Sequence, residues 1–109
     1  MSADDALMHC ANELRQHDAD RYLVTTLLPP PARRIALALF ALDLELARIP
    51  EAVSERALGE MRLQFWRDTL TRLSEGSVAA HPVAQGIADA LGEDVPLPTL
   101  LALVDARGR

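Results

Sequence analysis

The sequence predicts an all-α protein of five to six helices. Leucine and alanine dominate its 109 residues, whereas aromatic residues make up only 4%. Small and straight-chain side chains of this kind are good helix formers. Apolar residues recur at intervals of three and four, which is the spacing of one helical face. No segment alternates between apolar and polar residues for long enough to form a β-strand.

The first predicted helix begins after Ser2 and ends near His17. Asp5 follows Ser2 by three positions, and this spacing is typical of a capping box. A short second segment, residues 20–28, runs into three consecutive prolines, which cannot lie inside a helix. The last of them, Pro31, is predicted to open the third helix, because proline fits a first helical turn.

The third helix has the most regular apolar face in the chain, and Pro50 is predicted to end it. That face consists of Ile35, Leu39, Leu42, Leu46 and Ile49. Asp43 lies beside this face and is therefore predicted to be partly buried. A buried carboxylate costs free energy unless it is hydrogen-bonded, which makes Asp43 a candidate site residue. The alternative is an acid on the helix flank that reaches solvent or an arginine of the fourth helix.

Three further helices are predicted after Pro50. Ser54 is expected to cap the fourth helix, which ends at Gly76. Its predicted inner face consists of Leu58, Met61, Phe65, Leu70 and Leu73. The pair His81-Pro82 opens a fifth helix, and Pro98 opens a sixth that has run only about two turns when the sequence stops. We therefore expect residues 1–109 to form a single domain that is incomplete.

Charge and composition exclude several classes of protein. Eleven arginines and no lysine against sixteen acids give a net charge of −5, which argues against nucleic-acid binding. The single cysteine, Cys10, excludes a disulfide framework and fits a reducing compartment. Acidic residues near the N-terminus argue against a signal peptide. The longest apolar stretch, residues 35–46, is too short to cross a bilayer. We expect a cytoplasmic protein without a transmembrane segment.

Two arginines in the first turn of the third helix form a candidate anion site. Arg33 and Arg34 would add two guanidinium groups to the free N–H groups of a helix N-terminus, and such a site suits a phosphate or a carboxylate. The alternative is that both arginines are solvated, or paired with acids such as Asp18 or Asp20.

Arg62 and Trp66 form a second candidate site, on the fourth helix. Exposed arginine and tryptophan are enriched at interfaces. The alternative is a half-buried Trp66 with salt-bridged arginines around it. His9, Glu13 and His17 share one face of the first helix, but such rows are usually solvated, so we expect no metal ion there.

Several separate blocks resemble the squalene/phytoene synthase family. The blocks are residues 20–23, 27–30, 33–34, 39–41, 44–47, 59–67, 81–84 and 104–107. The resemblance implies an isoprenoid-synthase fold, in which helices surround a cavity for two prenyl diphosphates. It covers only the N-terminal part of the family's domain. With that fold, Arg33, Arg34 and Arg62 would face an anionic ligand, and Trp66 would lie near the cavity mouth or an interface.

The first aspartate-rich motif of the family is degenerate in this sequence. In the family's enzymes its carboxylates bind Mg²⁺, which bridges the substrate diphosphate. Its acidic positions correspond here to Ala47, Arg48 and Glu51. Glu51 keeps an acid, Ala47 has lost one, and Arg48 replaces one with a cation. We therefore expect no metal or other cofactor, and Mg²⁺ only in an intact family enzyme.

The residue pattern over 44–55 and 61–66 is similar to a non-catalytic branch of this family, that of the complex I assembly factors. This resemblance implies a pseudoenzyme that acts as an assembly or binding module, peripheral to the inner membrane. It also implies a protein partner or the missing C-terminal half, and a prenyl or lipid ligand. Two alternatives stay open, namely a fragment of a Mg²⁺-dependent head-to-head prenyltransferase and a small helical interaction domain.

Overall fold

The structure is a computed structural model that describes residues 2–49 and 56–107. This part of the chain forms six helices and no strand, which confirms the all-α prediction. The helices are α1 (Ala3–His17), α2 (Ala19–Thr26), α3 (Pro30–Ala47), α4 (Arg56–Ser74), α5 (Pro82–Leu91) and α6 (Leu97–Arg107). None of them is both long and apolar enough to cross a membrane.

Local capping determines where α1 and α2 begin. The Ser2 hydroxyl accepts a hydrogen bond from the Asp5 N–H at 3.1 Å, and the Asp5 carboxylate accepts one from the Ser2 N–H at 3.2 Å. The predicted capping box is therefore confirmed. Asp18 is the single residue between the two helices. Its N–H donates to the Leu14 carbonyl at the end of α1, and its side chain accepts a hydrogen bond from the N–H of Arg21 in α2.

Two predicted helix starts are wrong by one residue. The third helix begins at Pro30 and not at Pro31, because Pro29 adopts an extended conformation (φ −63°, ψ 156°) and serves as the N-cap. The sixth begins at Leu97, with Pro98 inside its first turn. In both helices proline lies in the first turn, where its missing N–H breaks no hydrogen bond. The predicted roles of Pro50 and Ser54 lie outside the described residues.

The core forms where α1, α3 and α5 pack against one another, and α4 packs chiefly on α6. Leu14, Leu42 and Ile87 are fully buried in it. At Gly86 a Cβ atom would lie 3.2 Å from the Cys10 sulfur, so a glycine allows α5 to approach α1 closely. Burial raises the pKa of the Cys10 thiol to about 11, and the thiol therefore stays protonated near neutral pH.

The predicted inner face of α4 is wrong in its first half. Leu58, Met61 and Phe65 are 44%, 68% and 43% exposed, whereas Leu63 and Trp66 are buried. The reason is that α5 and α6 cover a neighbouring face of the helix. In the second half Leu70 and Leu73 are buried as predicted.

The predicted face of α3 is only partly confirmed. Leu42 and Leu46 are buried, but Ile35, Leu39 and Ile49 are only partly so. Three further residues belong to the core, namely Leu37, Ala38 and Ala41. They join it because α3 packs against both α1 and α5.

Candidate functional site

A cleft of about 310 Å³ lies between the end of α3, the first half of α4 and the start of α5. We refer to it as the cleft throughout. Its lining combines apolar, aromatic and charged side chains, namely Glu45, Arg48, Ile49, Arg62, Phe65, Trp66 and His81. A concave site with an apolar floor and a few polar groups is the usual form of a binding pocket.

Trp66 provides the buried aromatic part of the cleft. Its side chain is 4% exposed, so most of the indole contacts protein. The Phe65 ring meets it edge-on at 5.3 Å between centroids, and the His81 ring meets it edge-on at 4.9 Å. Such edge-to-face pairs favour a defined ring geometry. The floor of the cleft is therefore a packed aromatic cluster.

His81 is one of four lining residues, with Glu45, Ile49 and Phe65, that are not among the site residues predicted from the sequence. Its Nδ1 atom accepts a hydrogen bond from the Val83 N–H at 3.1 Å and so caps α5. This bond leaves the proton of a neutral ring on Nε2. Burial lowers the pKa of His81, although the nearby Glu45 carboxylate acts in the opposite direction. The histidine is therefore uncharged at neutral pH. Its position directly before a helix-opening proline was the available sequence clue.

Among the described residues, two cations and one anion line the cleft. Arg48 donates to the Glu13 carboxylate at 2.9 Å, and Glu13 also lies 3.6 Å from His17. Arg62 forms no ion pair with any residue in the described ranges 2–49 and 56–107. Glu45 is the one carboxylate that the described part of the chain contributes to the lining.

The two arginines of the predicted anion site lie elsewhere. Arg33 donates from Nε to the Thr25 carbonyl at 3.1 Å, and from Nη2 to the Thr26 carbonyl at 3.2 Å and the Leu28 carbonyl at 3.1 Å. These bonds cap the end of α2. Arg34 forms an ion pair with Asp89 of α5. Neither arginine lines the cleft, and anion binding by them stays a prediction.

Asp43 also lies outside the cleft and connects three helices. Its carboxylate accepts hydrogen bonds from Arg21 of α2 at 2.7 Å and from Arg107 of α6 at 3.3 Å. Its partners thus come from the second and sixth helices and not from the fourth. Partial burial raises the pKa of Asp43, but the two arginines together outweigh burial and hold that pKa below its ordinary value.

The model of the squalene/phytoene synthase family matches residues 14–109 of the chain. The chain belongs to this family. The resemblance seen in the sequence blocks is therefore confirmed over most of the chain.

Curated relatives in this family agree with the predicted branch. The chain is 41% identical over 76 residues to a Bos taurus protein and 34% identical over 104 residues to a Rattus norvegicus protein. Both are named "NADH dehydrogenase (ubiquinone) complex I, assembly factor 6". The matches cover 70% and 94% of this chain but 23% and 31% of the relatives, so the chain spans less than a third of their length. No solved structure matches the chain.

The described residues of this family member do not fit a magnesium site. Ala47 is exposed at the end of α3, Arg48 lines the cleft and is paired with Glu13, and Glu51 lies outside the described residues. Across 2–49 and 56–107 no three His, Cys, Asp or Glu residues are grouped so as to hold a metal ion. Mg²⁺ takes carboxylate and other oxygen ligands, whereas the lining residues that the structure describes include one carboxylate and two arginines.

Proposed function

We propose that this squalene/phytoene synthase family member is a non-catalytic binding module that takes part in assembling a respiratory complex. The observation that carries the proposal is the composition of the cleft, whose described lining holds a single carboxylate, Glu45, and places arginines, Arg48 and Arg62, where a metal site would need acids. The names of the relatives support the same role, since they denote assembly factors of the NADH dehydrogenase complex.

The lack of catalysis follows from the chemistry that a prenyl diphosphate requires. Its ionisation needs divalent cations that neutralise the charge developing on the leaving diphosphate. The described lining provides one carboxylate, which is too few ligands to hold such a cation, and Arg62 places a guanidinium group in the same cleft. Binding through the aromatic floor and the arginines needs no such ion. A prenyl or lipid ligand for the cleft remains a prediction, and so does a location peripheral to the inner membrane.

The experiment is a deletion of the gene in the organism that carries it. We expect the amount of assembled NADH dehydrogenase complex on native gels to fall, and the intact gene to restore it. A complementing gene with Arg62→Ala should restore less of the complex than one with Arg72→Ala. Arg72 is the matched control, because it is exposed in the last turn of the same helix and lies outside the cleft.

The enzymatic alternative makes the opposite prediction. A head-to-head prenyltransferase would leave the complex unchanged on deletion, and the complete purified protein would release diphosphate from a prenyl diphosphate when Mg²⁺ is added. Either result would contradict a non-catalytic assembly role.

A further inference from the structure

The ring of His81 holds the start of α5. Its Nδ1 atom accepts the hydrogen bond of the Val83 N–H at 3.1 Å. The first N–H groups of a helix have no carbonyl partner within that helix, and the His81 carbonyl is already occupied by the Gln85 N–H at 2.9 Å. Val83 is only 1% exposed, so water has little access to replace the ring as an acceptor. The cap of α5 therefore depends on an unprotonated Nδ1 atom.

The same ring also packs against α4 and forms one wall of the cleft. Its centroid lies 4.9 Å from that of Trp66 and 6.0 Å from that of Phe65. Both aromatic residues line the cleft together with His81. A change that moves this imidazole therefore acts on two features at once, namely the first turn of α5 and the access to Trp66.

The charges around the ring oppose its protonation on balance. Among the described residues, the charged or titratable groups that line the cleft with the ring or act on its pKa are Glu45 of α3, Arg48 directly after α3, Arg62 of α4 and His9 of α1. Burial is the largest effect and lowers the pKa of His81 from its ordinary value of 6.5; His9 acts in the same direction, and the Glu45 carboxylate opposes them. Arg48 is paired with Glu13, which offsets its charge.

We propose that His81 is a pH-sensitive switch that controls access to the cleft. A protonated Nδ1 atom cannot accept the Val83 N–H, and the resulting cation lies at a helix N-terminus, where the helix dipole opposes it. The charged ring therefore leaves the contact with Phe65 and Trp66 for solvent, and the cleft widens above the indole. The switch is closed at neutral pH and opens on acidification. It is a property of this fold that does not depend on the assembly role.

Trp66 makes the switch directly measurable, because it is the single tryptophan of the chain. Acrylamide is an uncharged quencher that must touch the indole, and Trp66 is only 4% exposed while the ring is in place. We expect the quenching constant to rise about twofold or more between pH of about 7.5 and about 5, with a midpoint below 6.5. Helicity measured by circular dichroism should stay constant over this range. Asp43 does not titrate in it, because its pKa lies below 3.8.

Four variants separate His81 from the other titratable groups. His81→Asn keeps an N-cap acceptor that does not titrate, so its quenching constant should not change with pH. His17→Asn, at an exposed histidine, is the matched control and should keep the full rise. Glu45→Gln should lower the midpoint and His9→Gln should raise it, because these groups act on the pKa of His81 in opposite directions.

A second measurement keeps the proposal testable if a variant fails to fold. The ¹⁵N shifts of the His81 ring in the original chain should show a proton on Nε2 alone at neutral pH and on both nitrogens in acid. Protonation of the ring without a rise in quenching would overturn the proposal, because the charged ring would then stay in place. It would also be overturned by the same rise in His81→Asn. A rise that occurs only together with a loss of helicity would show global unfolding instead of a local switch.

Discussion

Arg33 is expected to stabilise the protein by capping α2. Its guanidinium group donates to the carbonyls of Thr25 and Thr26 in the last helical turn and of Leu28 just beyond it. The carbonyls at a helix C-terminus lack partners within the helix, and these bonds satisfy those of Thr26 and Leu28, while the Thr25 carbonyl also accepts from the Leu28 N–H at 3.2 Å. Arg33→Lys keeps the positive charge but replaces the planar fork with one ammonium group, which reaches fewer of the carbonyls at once.

The magnitude follows from the number of bonds and their exposure. Hydrogen bonds from charged donors contribute about 1.5–3 kcal/mol when buried. Arg33 is an exposed residue, so each bond is reduced by solvent screening to about 0.5–1 kcal/mol. Loss of two of them in Arg33→Lys should lower the free energy of unfolding by about 1–2 kcal/mol, and loss of all of them in Arg33→Ala by about 1.5–3 kcal/mol.

The assay is urea unfolding followed by the fluorescence of Trp66. We expect the midpoint to fall for both variants with an unchanged m-value, since only stability changes. Arg72→Lys, at an exposed site, is the control and should stay within about 0.5 kcal/mol of the original chain. The reasoning is refuted if both Arg33 variants unfold at the original midpoint. It is also refuted if inorganic pyrophosphate stabilises the original chain but not Arg33→Ala, because anion binding would then be the role of this residue.

Three further predictions concern stability. Asp43→Asn should remove part of the acid sensitivity of folding. Because the pKa of this carboxyl is lowered in the folded protein, its ionised form stabilises the fold above the ordinary pKa of 3.8. This contribution is lost as the pH falls through the pKa of the folded state. The urea midpoints of the original chain and of Asp43→Asn should converge as the pH falls from 6 to about 2. A constant difference between the two midpoints would contradict this. Leu63→Ala should cost about 2–4 kcal/mol and Leu58→Ala less than about 1 kcal/mol in thermal unfolding; the reverse order would place the wrong face of α4 in the core. Gly86→Ala should cost about 1 kcal/mol, because the new methyl group would crowd the Cys10 sulfur at 3.2 Å. Adding Cys10→Ala should make the double variant more stable than the two single effects predict, and simple additivity would argue against the crowding.

The candidate site was only partly predictable from the sequence. Arg62 and Trp66 were selected as one pair, and the structure places both at the cleft together with Arg48. Arg33 and Asp43 were also candidates from the sequence, yet Arg33 binds the end of α2 and Asp43 binds two arginines. A sequence shows that a side chain is charged and on which helix it lies. It does not show which carbonyl or carboxylate another helix brings within reach.

The sequence by itself determined the helices and most of their ends. Capping by Ser2, prolines in first turns and apolar spacing act within a few residues of the backbone, so they can be interpreted without knowing the rest of the molecule. The blocks that it shares with its family were equally visible, and the family match over residues 14–109 confirms them.

Only the tertiary structure decided which helical faces are buried. On α4 two overlapping apolar rows compete, one through Leu58 and Met61 and the other through Leu63 and Trp66. A helix forms equally well whichever row faces inward, because its own hydrogen bonds do not depend on that choice. The packing of α5 and α6 buries the second row and leaves the first beside the cleft. The same choice that completed the core therefore left an apolar row exposed beside the cleft.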